Sequence, residues 1–163
     1  MSFSRFYKAI LAITALNFAM MAFYTTPILL SAADGLFPFD LRATGYSAAD
    51  AVSYVAALSD SGKQLYLTTQ TMLDTIFPAL LALSLMLTLY RLAPQWPALF
   101  LTPVAGALFD YYENAAVREI LLSAPPDAAL VEMASLLTSL KFGSVVLSSI
   151  AILVLWRKGK ANA

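Results

Sequence analysis

The sequence predicts an all-α fold: an integral membrane four-helix bundle with a short amphipathic helix in the long outer loop between spans one and two. Three observations predict it. Of 163 residues, 60% are hydrophobic and 12% charged, whereas soluble domains carry about 25% charged residues. Four apolar runs reach the ~20 residues that a bilayer crossing needs. Ionisable side chains inside those runs fall at one level, as expected of groups that must face a bundle interior rather than lipid. The 163 residues read as a single transmembrane domain, with spans at about 9–30, 65–90, 97–123 and 128–156 and an outer loop over 31–64.

The first span, Ala9 to Leu30, follows a basic head of Arg5 and Lys8. Ser31-Ala32-Ala33 resembles a signal-peptide cleavage site, but the apolar run exceeds the ~7–15 residues of a signal h-region, so it reads as a retained span. The loop after it is broken by Gly35, Pro38 and Gly45. Ser47-Ala48-Ala49-Asp50 reads as a capping box, with Asp at the position usually held by Glu. It opens an amphipathic helix to about Leu58, ended by Ser61-Gly62, whose less polar face is Val52, Val55, Ala56 and Ser59. That helix reads as interfacial, lying across the bundle; the sharper alternative is a lid over a site beneath it.

The second span runs from about Leu65 to Leu89 and is ended by Arg91. Pro94 and Pro97 make a tight turn into the third, with Pro97 at a first helical position where a missing N–H costs nothing. Pro125-Pro126 separates the third from the fourth, which stops at Arg157-Lys158-Gly159-Lys160. Spans two, three and four are therefore expected as antiparallel neighbours. Six of the ten basic residues, Arg5, Lys8, Arg91, Arg157, Lys158 and Lys160, fall on one side of the membrane, and Arg42, Lys63 and Arg118 on the other. By the positive-inside rule the chain is expected in a bacterial inner (plasma) membrane as a multi-pass protein with both termini cytoplasmic.

Composition excludes several chemistries. Without Cys or His there is no thiolate metal site, no Cys nucleophile and no Ser-His-Asp arrangement. A formal net charge of zero offers no field for nucleic acid. No phosphate loop, nucleophile motif or set of redox-cofactor ligands is present, so no cofactor is assigned.

The informative residues are polar groups within the spans. At ~1.5 Å per residue from the inner helix ends, Asp74, Glu113, Asn114 and Lys141 lie roughly 22–24 Å up, Tyr24 near 22 Å, and Asp110 about 18 Å. Asp110, Glu113 and Asn114, spaced i, i+3 and i+4, share one helix face. Thr102 and Gly106 continue that face downward and allow close helix approach. Lys141 shares its face with Thr138, Ser144 and Ser148. Pro78 cannot donate to the carbonyl of Asp74, four residues earlier, which leaves an acceptor at the same level; Pro27 does the same for Phe23. Three carboxylates against one lysine leave two negative charges uncompensated, which is costly in a low dielectric. Protonation, a hard cation, Lys63 or Arg118 leaning inward, or a basic or hydroxylated ligand would each compensate. The polar or ligand-binding set is thus Asp74, Asp110, Glu113, Asn114, Lys141, Tyr24, Lys63 and Tyr66.

Gly62-Lys63-Gln64-Leu65-Tyr66, Asp74-Thr75-Ile76-Phe77-Pro78, Asp110-Tyr111-Tyr112-Glu113-Asn114 and Lys141 resemble the motifs of a group of four-span bacterial membrane proteins with no assigned activity. The likeness covers about Gly45 to Gly143 and implies a four-helix membrane fold. Three function classes stand open. One is a membrane enzyme on a lipid or other amphiphile, with Asp74, Asp110 and Glu113 as acid/base or metal-binding groups. Another is a binding or transport protein for a small amphiphile or cation. The last is an accessory or assembly subunit whose polar layer is structural. The expected partners are membrane lipid, a small amphiphilic ligand or cation, and further copies or a larger membrane complex.

Overall fold

In the computed structural model, which describes residues 2–123 and 125–161, every regular element among the described residues is helical. We number the helices α1 (Phe3–Ala32), α2 (Ala48–Ala57), α3 (Asp60–Leu92), α4 (Leu101–Leu122) and α5 (Ala128–Ala161). Short 3-10 turns at Phe39–Leu41 and Pro97–Phe100 complete the order. α1 packs on α3, α3 on α4, and α5 on both α4 and α3. The end that carries residues 33–59 is the loop end; the end that carries Phe3 and Lys160 is the terminal end.

Among the described residues α1, α3 and α5 are long and apolar enough to cross a membrane. α4 is not, because Asp110, Glu113, Arg118 and Glu119 fall within its 22 residues. The flanks of the helices are apolar and exposed: Leu16 is 65% accessible, Phe23 82% and Leu101 68%. Such surfaces would be a liability in water and are ordinary against lipid.

The tightest apolar packing sits at the loop end. Leu29 and Ala33 of the first helix and its exit join Phe39, Tyr46, Ala51, Tyr54 and Leu58 of the loop. These meet Tyr66 of α3, Val117 and Ile120 of α4, and Val131 and Ala134 of α5. The loop is therefore a roof built into the core. Its helix opens on the expected capping box: Ser47 Oγ accepts from the Asp50 N–H, and the Ser47 N–H donates to Asp50 Oδ2 at 2.8 Å. These hydrogen bonds hold the exposed Asp50 carboxyl below its ordinary range. The buried face of α2 differs from the one expected. Val55 is partly buried against the core as expected, but Ala51, Tyr54 and Leu58 turn furthest inward while Val52, Ala56 and Ser59 are exposed, because the large aromatic gains more by burial than a valine does. The helix also stops earlier, at Ala57, and Ser59 caps the start of α3, which begins at Asp60.

Two glycines make the roof possible. Gly45 has φ +86°, and a Cβ there would lie 2.7 Å from Ser135 Oγ. At Gly62 a Cβ would lie 2.5 Å from that of Ala32. The start of α3 thus touches the end of α1, where the Ser59 N–H donates to the Ala32 carbonyl at 2.9 Å.

Candidate functional site

Below the roof lies a layer of buried polar side chains. On α3 it is a stripe at i, i+4 and i+8: Tyr66, Gln70 and Asp74, each at most 4% accessible. On α4 it is Asp110 and Glu113, and on α5 Thr138 and Lys141. Lys141 Nζ lies 2.5 Å from Glu113 Oε2 and 3.3 Å from Asp110 Oδ1. Thr138 donates to Glu113 Oε1 at 2.6 Å. The lysine thus bridges two carboxylates one turn apart, and the threonine one turn before it in sequence holds the second carboxylate from the other side.

Asn114 donates through Nδ2 to the Asp74 carbonyl at 3.1 Å. This is the acceptor that Pro78 leaves without its helical N–H. The next carbonyl, that of Thr75, accepts from the Tyr111 hydroxyl at 3.0 Å. α3 and α4 are therefore stitched at the proline by two side chains of α4.

A second network adjoins the first. Asp40, from the loop, is 6% accessible. Its carboxylate accepts from the Tyr66 hydroxyl at 3.0 Å and from Gln70 Nε2 at 3.3 Å. Gln70 Oε1 accepts in turn from Thr25 Oγ1 at 2.5 Å. Both Thr25 and Gln70 sit in π turns, Met21–Thr25 and Tyr66–Gln70. A π turn adds a residue to the helical circuit and shifts the face that follows. In α1 it lies just before Pro27, and it turns Thr25 inward and leaves Tyr24 50% exposed.

The structure brings Asp74, Asp110, Glu113, Asn114, Lys141 and Tyr66 of the expected set to this layer. It does not bring Tyr24, which faces outward for the reason just given. Lys63 is half-buried near the start of α3, and no ion pair among the described residues uses it. Asp40, Gln70 and Thr25 belong to the layer and were missed by sequence reasoning. Asp40 lies in a loop without periodicity, and the other two depend on the π turns.

The charges do not balance. Asp40, Asp74, Asp110 and Glu113 are four buried carboxyls, and Lys141 is the one buried cation among the described residues. The Asp74 carboxyl, 4% accessible, takes part in no hydrogen bond or ion pair among the described residues. No group of acidic side chains among the described residues has the geometry of a metal site. The space beside Asp110 and Lys141 is about 10 Å³, lined by Pro78, Pro103 and Gly106, which is close to the least volume that holds one water.

Above the layer, the Tyr46 and Tyr54 hydroxyls are buried without a hydrogen-bond partner. Burial raises both phenols well above the usual tyrosine range, reinforced by Glu113 beside Tyr46 and by Asp40 beside Tyr54. Both hydroxyls therefore stay neutral and can donate. Protein-family models, curated proteins and solved structures give no match to this chain.

Proposed function

We propose that the chain is a four-span bacterial inner-membrane protein, both termini cytoplasmic, whose polar layer binds a small amphiphilic ligand under the loop roof. In this reading α4 is the fourth span. Its four charged residues are tolerated because Asp110 and Glu113 face α5, while Arg118 and Glu119 approach the outer surface. The single observation that carries the ligand reading is the unpartnered Asp74 carboxyl in a layer of four acids and one lysine. A purely structural layer gains nothing from a fourth acid that it neither pairs nor hydrogen-bonds, because one lysine cannot neutralise four buried carboxyls. Sites that bind commonly carry such local cost.

The test is extraction of purified wild-type and Asp74→Asn protein, followed by mass spectrometry of the co-purifying amphiphiles. The expected result is a species enriched over bulk lipid in wild type and lost in Asp74→Asn. Identical lipid profiles would instead support an accessory or assembly subunit, the reading that the small volume beside Lys141 favours. Topology has its own check. A reporter fused after Ala163 should be active in its cytoplasmic form, and periplasmic activity would reject the orientation.

A further inference from the structure

The roof contains a seat for a cation. Phe39, Tyr46 and Tyr54 form an aromatic cluster, with the Phe39 ring centroid 4.9 Å from that of Tyr46 and 4.8 Å from that of Tyr54. One positive group faces all three rings. The Arg42 guanidinium lies 5.6 Å from the Phe39 centroid, 5.8 Å from Tyr46 and 5.5 Å from Tyr54. Three aromatic faces around one cation make the geometry by which proteins recognise ammonium groups.

Arg42 is held there lightly. Of its five N–H donors, one is used among the described residues, Nε to the Phe37 carbonyl at 2.9 Å. No carboxylate pairs with it among the described residues. The rings, by contrast, are fixed: Phe39 and Tyr54 are fully buried and Tyr46 is 9% accessible. The Tyr46 N–H is anchored to Ser135 Oγ at 2.7 Å. The floor beneath is negative. Asp40 follows Phe39 directly in the chain, and the Tyr46 and Tyr54 hydroxyls are buried, unpartnered and lie toward Glu113 and Asp40 respectively. A cation with one hydrogen bond thus covers a buried aromatic cage above an excess of carboxylates.

We propose that this cage is the headgroup site for the ligand of the polar layer, that the ligand is a cationic amphiphile bearing an ammonium group, and that Arg42 occupies the seat until the ligand displaces it. The inference rests on the ligand-binding reading above and adds the charge of the headgroup and the place where it binds. An ammonium in the cage keeps the cation–π contacts that Arg42 makes. Its alkyl chain then extends along the exposed apolar flank of the helices, and the released Arg42 reaches water.

The test uses full-length protein in nanodiscs and two probes of one shape, octyltrimethylammonium and its neutral tert-butyl isostere. The expected result is that the ammonium probe binds at least tenfold tighter than the isostere. Its N-methyl proton resonances should move upfield in the bound state, as they must over ring faces. Arg42→Gln should tighten the ammonium probe about tenfold by emptying the seat, and Tyr54→Leu should weaken it by a similar factor. Equal binding of the two probes, with Asp74→Asn weakening both, would overturn the cationic headgroup and leave the amphiphile reading standing. Absence of binding by either probe would overturn both. Should Arg42→Gln fail to fold, wild type alone decides, because ammonium binding without the upfield shift places the headgroup outside the cage and rejects the proposal.

Discussion

Toward the terminal end, the helices are joined by hydroxyls. Thr14 meets Ser84 at 2.8 Å, Tyr7 meets Thr88 at 3.0 Å, and Thr102 meets Ser148 at 2.9 Å. Toward the loop end, α4 and α5 are joined by Lys141, Asp110, Glu113 and Thr138. A hydroxyl inside an apolar helix has a fallback, the carbonyl one turn earlier. Thr14, Thr88 and Ser148 all make that bond, to Ile10, Ser84 and Ser144. Losing an interhelical partner therefore leaves these three hydroxyls still bonded within their own helices. An ammonium or a carboxylate has no such fallback, and a stranded charge is costly. The first kind of contact is glue that can be thinned, and the second is an arrangement in which each member depends on the others.

The largest expected effect follows from that dependence. Lys141→Met removes the cation from between two carboxylates, and breaking a buried pair in this way costs roughly 3–5 kcal/mol. Thermal unfolding in detergent should show it. Adding Glu113→Gln should restore part of the loss by removing the charge nearest the vacated ammonium. If Lys141→Met melts like wild type, the loop-end layer is no more interdependent than the terminal one, and the contrast collapses.

Next in size is the junction between the two regions. A Cβ on Gly106 would come within 3.1 Å of Ser144 Cβ, between the Lys141 pairing and the Thr102–Ser148 contact. Gly106→Val must push α4 away from α5, and overpacking of this kind costs about 1–3 kcal/mol. The same substitution at Gly143, where nothing lies within 4 Å of a Cβ, should cost less than half as much. Equal losses at the two glycines would show that helix propensity, and not close approach, sets the effect.

How far these contacts were legible in the sequence depends on which kind of backbone holds them. The i, i+3 spacing of Asp110 and Glu113, and the carbonyl that Pro78 frees, need nothing but a regular α-helix to be read. Thr102 and Gly106 follow from the same period. Thr25 and Gln70 sit in π turns, where the residue count per turn changes, so a 3.6-residue period misplaces them and favours Tyr24 instead. Asp40 sits on a 3-10 turn of a loop, and only the packing of Phe39, Tyr46 and Tyr54 carries it inward. Of the expected apolar face of α2 only Val55 packs on the core, because valines outweigh one tyrosine on a hydropathy pattern, whereas in the roof the buried area of Tyr54 decides. α4 satisfied length alone; its four charged residues take it below the hydropathy of the other long helices.

Asp74→Asn tests the contrast from the opposite side. Asp110 is ion-paired and Asp74 is not, so their amide variants should differ in sign. Asp110→Asn should lower the melting temperature. Asp74→Asn should raise it, because it removes one acid from a layer in which four buried carboxyls face a single lysine. The gain should come with loss of the co-purifying amphiphile, because stability and binding trade against each other at such positions. A loss of stability in both variants would mean that Asp74 is held by the layer as firmly as Asp110 and would remove the main support for ligand binding.

The smallest effect belongs to the hydroxyl contacts. Thr14→Val keeps the shape of the side chain and removes its bond to Ser84 and its 3.2 Å approach to the Leu80 carbonyl. The Ser84 hydroxyl, bonded among the described residues only to Thr14, can turn to the freed Leu80 carbonyl one turn earlier in its own helix, and the Ile10 carbonyl returns to a single helical partner. Interhelical hydrogen bonds in membranes average about 0.6 kcal/mol, and Thr14→Val should cost no more than that. Because α1 packs chiefly on α3, the loss should appear as earlier release of α1, readable as faster proteolysis near Leu36 and Phe37 with little change in the main unfolding transition. A loss as large as that of Lys141→Met would show that α1 is held by this one contact and that neutral contacts are as indispensable here as ionic ones. A loss at the expected size would leave the Thr25–Gln70–Asp40 line as the stronger tie of α1 to the rest, since it ends on a charge and bonds to charged groups are worth about twice as much.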